Sequence, residues 1–173
     1  MQNTTNHIKR ELQLTADGSH TLFIPEMDEH YHSVNGAVQE SRHVFIEAGL
    51  HHLERREITI LEIGFGTGLN AFLTLLDAEA CQRKIHYCSI ELYPLGTDVI
   101  ESLNYGEMLC AGRKDVFHAL HQAEWNVAVQ VTEFFELHKI QGDSNTCALP
   151  DRIDLIYFDA FAPDKQPVSY THL

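Results

Sequence analysis

The sequence predicts an α/β protein: a doubly wound, mostly parallel sheet preceded by a small β-hairpin. Three observations carry this. Apolar, β-branched runs of strand length recur along the chain, segments with helical periodicity separate them, and a glycine-rich turn joins the first such strand to its helix. Strands joined through helices pair in parallel by right-handed crossovers, and ligands of such sheets sit at the carboxyl ends of the strands.

Taken in order, IKRELQL and HTLFIP flank TADGS, where Asp17-Gly18 supplies a positive-φ turn, so the segment reads as a hairpin. A helical stretch from about Gly36 to Leu53 follows, with Val38, Phe45, Ala48 and Leu53 on one face. ITILEI (58–63) is a buried strand, NAFLTLLDAEA a helix, IHYCSIE (85–91) a second strand, and PLGTDVIESLN a helix opened by Pro94. EMLCAGRKDVFHALHQAEW reads as helical, NVAVQVTEFF as a third strand and IDLIYFDAF (153–161) as a fourth. One domain is expected: residues 1–35 form the hairpin and opening segment, 36–167 the core, and 168–173 a non-native or truncated tail.

Composition narrows the chemistry. The 173 residues, 44% hydrophobic and 9% aromatic, suffice for one core without staples. No apolar stretch escapes charge long enough to span a bilayer, and MQNTTNHIKRELQ has no signal-peptide core, so a cytoplasmic location is expected. Cys81, Cys88, Cys110 and Cys147 form no CxxC pair and read as free, mostly buried thiols. Twelve basic against 25 acidic residues give a net charge of −13, which argues against autonomous tight binding of nucleic acid while permitting a locally held one. His30-His32, His51-His52 and His118-His121 lack a full ligand set, so they read as solvated or capping side chains and no metal is expected.

The glycine turn is LEIGFGTGLN (61–70). A dinucleotide fingerprint needs a glycine at the sixth position counted from Gly64, where Leu69 stands. Gly64, Gly66 and Gly68 instead fit the GxGxG loop of S-adenosylmethionine-dependent methyltransferases, with the acidic Glu62 two residues upstream. The second strand ends at Glu91, 23 residues past Gly68, near the spacing at which a carboxylate meets a cofactor ribose. Asp143, in the Gly142-Asp143 turn before the fourth strand, stands where this fold places an acidic group near the adenine amine; an ordinary turn explains it nearly as well.

LEIGFGTGLN, IELYPL and YFDAFAPDKQP together resemble the methyltransferase domain of the bacterial tRNA-modifying MnmC proteins and their stand-alone relatives. GAVQESRHVFIEAGL resembles the family's opening segment, so the resemblance runs from about Asp17 to Pro167. It implies a Rossmann-like class I methyltransferase that uses S-adenosyl-L-methionine to methylate the amine of 5-aminomethyl-2-thiouridine at the wobble position of certain tRNAs. It also implies an FAD-dependent oxidoreductase in the same pathway, to which nothing in these residues corresponds. An amine must be neutral to attack, and Asp159, at the tip of the fourth strand, is the group expected to orient it and receive its proton. Phe161 is a candidate to stack on a flipped base, with packing the alternative. After DAFAPDKQP the family has an acidic residue and a tryptophan where this chain reads VSYTHL, so the sheet is expected to be truncated after its fourth strand. The alternatives are a methyltransferase acting on a small-molecule or protein amine, and a non-catalytic nucleotide-binding module.

Overall fold

The computed structural model describes residues 8–159. Phe161 and the 168–173 tail lie outside them. The hairpin forms as read, between β1 (Glu11–Leu14) and β2 (His20–Ile24), and gains a two-residue third strand, β3 (Glu29–His30). Gly18 takes φ +83° in its turn, and Asp17 beside it accepts from the amide and hydroxyl of Ser19 and from the amide of Gln39. That last bond ties the small sheet to α1 (Ala37–Ser41).

The helical stretch expected over 36–53 is present but irregular. After α1 it widens into a π-type turn over 42–47, closed by Ala48 N–H on the His43 carbonyl at 2.9 Å, and ends in a 3₁₀ turn at Leu50–His52. The remaining helices are α2 (Leu69–Cys81), α3 (Thr97–Ser102), α4 (Tyr105–Leu109) and α5 (Lys114–Gln122). The single helix expected over 107–125 is therefore two, separated by a 3₁₀ turn at Ala111–Arg113.

Among the described residues the main sheet has five strands: β4 (Glu57–Ile63), β5 (Lys84–Glu91), β6 (Ala128–Thr132), β7 (Phe135–Gln141) and β8 (Leu155–Phe158), in the order β6-β7-β5-β4-β8. β4 pairs in parallel with β5 and β8, and β5 with β7. NVAVQVTEFF, expected as one strand, is instead β6 and the turn into β7, an antiparallel pair. The parallel partner of β5 is FELHKIQ, whose inward position 139 is a buried lysine that breaks the apolar alternation.

The central strands are buried almost end to end, as expected of strands covered on both faces. On one face Ile58, Ile60, Ile85, Tyr87, Phe135 and Leu137 join a large core to which all five helices contribute. On the other, Leu61, Cys88 and Ile90 form a small cluster covered by Cys147 and Ile153, with no helix in it among the described residues. Among the described residues the winding is thus one-sided, where helices on both faces were expected. Cys88 alone of the four thiols is buried.

Candidate functional site

The carboxyl ends of four parallel strands coincide: Ile63 pairs with Ile90 and with Phe158, and Glu91 with Gln141. β4 continues to β5 on one side, while β8 returns on the other, so strand order reverses beside β4. A crevice at such a reversal is where open α/β sheets hold ligands. Here it is a cavity of about 610 Å³ lined by Gly64, Gly66, Glu91, Asp143 and Asp159.

The loop between β4 and α2 makes one wall. Gly64, Gly66 and Gly68 have φ of +91°, +50° and +73°, which side chains with a Cβ adopt at a cost. A Cβ on Gly66 would lie 3.3 Å from the Tyr31 ring, and one on Gly68 would lie 2.8 Å from Nε2 of His121. Glu91 fastens this loop, because its Oε2 accepts from Gly66 N–H at 3.0 Å and its Oε1 from Tyr93 N–H at 2.8 Å. Each carboxylate oxygen retains lone-pair capacity for a further donor. Asp143 also lines the cavity, in a turn where its Oδ1 accepts the backbone and side-chain amides of Asn145, both at 2.9 Å.

Glu62 lies behind the cavity. It is fully buried on the helix-covered side of β4, accepts from Ser89 Oγ at 2.7 Å and from Asn70 Nδ2 at 3.3 Å, and burial pushes its carboxyl up to about 8. The same Asn70 nitrogen donates to Asp159 Oδ2 at 2.7 Å. Burial raises Asp159 to about 7 even though the Asn70 bond favours its charged form.

The opposite wall comes from the N-terminal sheet. Tyr31 and His32 follow β3 directly and line the cavity with Asn70. His32 is buried, its Nε2 lies 2.8 Å from Thr67 Oγ1 and its Nδ1 lies 4.0 Å from Asp159 Oδ2. Burial depresses both His32 and His121 to about 4. Solvated or capping roles are therefore corrected for these two, which the fold encloses. Their spacing in the sequence carried no trace of that burial. The position of Asn70 directly after GTGL was a signal that could have been used, since the first turn of a helix after such a loop faces the strand ends.

No family model matches the chain. It is 29% identical, over 82% of its length, to the tRNA 5-methylaminomethyl-2-thiouridine biosynthesis bifunctional protein MnmC of Marinomonas, covering 23% of that protein. To the MnmC protein of Magnetococcus marinus it is 31% identical over 95% of its length, covering 26% of the relative. The crystal structure of MNMC2 from Aquifex aeolicus superposes with a TM-score of 0.75 at 26% identity, over 94% of this chain and 53% of that one. The chain spans about a quarter of the length of the curated relatives it matches. In sequence and in backbone, this chain is a relative of the MnmC proteins.

Proposed function

We propose that this chain carries a Rossmann-like, class I methyltransferase site that binds S-adenosyl-L-methionine and methylates the aminomethyl group of 5-aminomethyl-2-thiouridine at the tRNA wobble position. The observation that carries the reading is the placement, in one cavity, of a glycine loop tied to Glu91 and of a carboxyl, Asp159, poised near neutrality. The residues fit the cofactor. Gly64 and Gly66 leave their backbone open to close approach, Glu91 would accept from the ribose hydroxyls, and Asp143 would accept from the adenine amine. The cofactor, when bound, supplies an electrophilic methyl group on a sulfonium.

The chain's own residues do the rest. In-line positioning of donor and acceptor can account for roughly 7–11 kcal/mol of barrier reduction. Asp159 accepts an N–H of the attacking amine, orients its lone pair and takes the proton released as the N–C bond forms. A carboxyl at about 7 exists in both forms near neutral pH, as a base that must accept and then release a proton requires. Glu62, held near 8 by burial, is mostly protonated there, so it fixes Asn70 without placing a second full charge behind Asp159.

The acceptor class rests on the names of the curated relatives. With a net charge of −13, the chain would hold tRNA through few phosphate contacts. An FAD-dependent oxidoreductase would act in the same pathway. That charge is also what favours the second reading, a small-molecule or protein amine as acceptor. A cytoplasmic setting suits either; no described helix is long and apolar enough to cross a membrane. Calorimetric titration is expected to show binding of adenosylmethionine and not of NAD, and Gly66→Leu to abolish it. Radiolabelled methyl transfer to tRNA bearing the aminomethyl group, and not to tRNA lacking it, tests the acceptor; transfer to a small amine alone would favour the second reading.

A further inference from the structure

The imidazole of His32 lies between the glycine loop and Asp159, one ring nitrogen turned to each. We propose that His32 is a positioning residue for Asp159: a neutral, tautomer-fixed ring whose Nδ1 lone pair takes a hydrogen bond from the Asp159 carboxyl once that carboxyl has gained the substrate's proton.

The tautomer follows from which ring nitrogen has an acceptor in reach. A neutral ring carries one N–H. On Nδ1 that hydrogen would be buried facing Asp159 Oδ2 from beyond hydrogen-bond distance. On Nε2 it meets Thr67 Oγ1 at 2.8 Å, and a ring protonated there carries its lone pair on Nδ1. That nitrogen faces Asp159 Oδ2 at 4.0 Å. A lone pair opposite an ionised carboxylate gains nothing, whereas a protonated carboxyl can close the gap and donate. His32 therefore favours the acid form of Asp159, the form reached when the amine gives up its proton. The proton stays on the carboxyl, because a buried ring held near 4 is the weaker base.

The other groups around Asp159 do not duplicate this role. Asn70 on α2 donates to the carboxylate and so favours the opposite form. Glu40 on α1 acts on it through charge, Glu62 on β4 is mostly protonated and shares Asn70 with it, and Tyr87 and Tyr105 are weak acids kept neutral by burial.

The role rests on Asp159 being the proton acceptor, so it is tested on the full chain without methyl donor or tRNA. In ¹⁵N NMR of histidine-labelled protein at neutral pH, His32 should be protonated on Nε2 and bare on Nδ1; the reverse tautomer would overturn the proposal. Side-chain ¹³C titration of Asp159 then separates two variants. Asn at position 32 keeps an acceptor near the place of Nδ1, while Gln keeps only the reach to Thr67. His32→Gln should weaken the hold of Asp159 on its proton by about three- to tenfold, the worth of one ordinary hydrogen bond, and His32→Asn should leave it near the wild-type value. The opposite pattern would reduce His32 to a tie between the N-terminal sheet and the glycine loop. Absence of methyl transfer in a protein that shows the expected titrations would sink the reaction and leave the histidine's placement standing.

Discussion

Gly68→Ala is the substitution for which the structure gives the most complete accounting. Gly68 caps α2 in the left-handed region at φ +73°, which costs a residue with a Cβ about 1–2 kcal/mol. The new methyl would also stand 2.8 Å from His121 Nε2 and 3.3 Å from Phe65 Cζ. The ring cannot swing aside cheaply. It donates to the Thr67 carbonyl at 3.1 Å and is packed edge-on against Phe65 and Phe117. Losing that bond adds about 0.5–1.5 kcal/mol, and the stiffer unfolded chain returns about 0.4–1 kcal/mol. The net is a destabilisation of about 2 kcal/mol, or about 4–8 °C in melting temperature for a chain of this size. Gly18→Ala is the control: its φ is +83°, but nothing lies within 4 Å of the added methyl, so its net cost should stay under about 1 kcal/mol. Urea unfolding of both variants beside the parent measures the difference. Equal costs would refute the reasoning, because only the backbone penalty would then be operating.

Glu91→Ala removes the acceptor for Gly66 and Tyr93 N–H and for the ribose, so adenosylmethionine affinity should fall about ten- to a hundredfold by calorimetry. Asp159→Ala should lower methyl-transfer turnover by about 10²–10⁴-fold while leaving cofactor affinity nearly intact; full turnover would leave that residue a turn cap. Burial lowers Lys139 from 10.5 to about 8, so between those values the unfolded chain binds the extra proton and stability rises with pH. That rise should be missing from Lys139→Met when unfolding midpoints are compared at pH 7.5, 9 and 10; identical pH slopes would mean the lysine is not desolvated.

The legible part of the fold was the part in which local pattern and tertiary role agree. ITILEI and IHYCSIE are apolar because both faces of their strands are covered, and the glycines between β4 and α2 announce a positive-φ loop whatever surrounds it. The β6–β7 pair was missed for two reasons. Its turn, Thr132-Glu133-Phe134, has no glycine, proline or asparagine, and Lys139 occupies an inward position. That lysine is tolerated because Nζ donates to the His121 carbonyl at 2.7 Å and lies 4.6 Å from the Trp125 ring centre, partners no local window contains. The candidate site divides the same way. Gly64, Gly66, Glu91 and Asp159 were named from strand ends and spacing, whereas Tyr31 and His32 reach the cavity only because a separate small sheet docks there. Docking is a long-range event, and a dyad of histidines in sequence says nothing about it.

That docking also orders events in time. The N-terminal sheet rests on α4 through His20 N–H to Asn104 Oδ1, Asn104 Nδ2 to the Gly18 carbonyl, and Tyr105 to the His20 carbonyl, bonds spanning 84, 86 and 85 residues. During synthesis at about 5–20 residues per second, the hairpin would wait some seconds for its seat to leave the ribosome. Closing so long a loop comes at an entropic cost that β1, β2 and β3 cannot offset among themselves. The two-residue β3 and His32 beyond it therefore cannot settle until α4 has formed. A molecule held between the glycine loop and Tyr31 would add its binding free energy to that settling, so the empty and filled proteins should differ most in how firmly β1, β2 and β3 are attached.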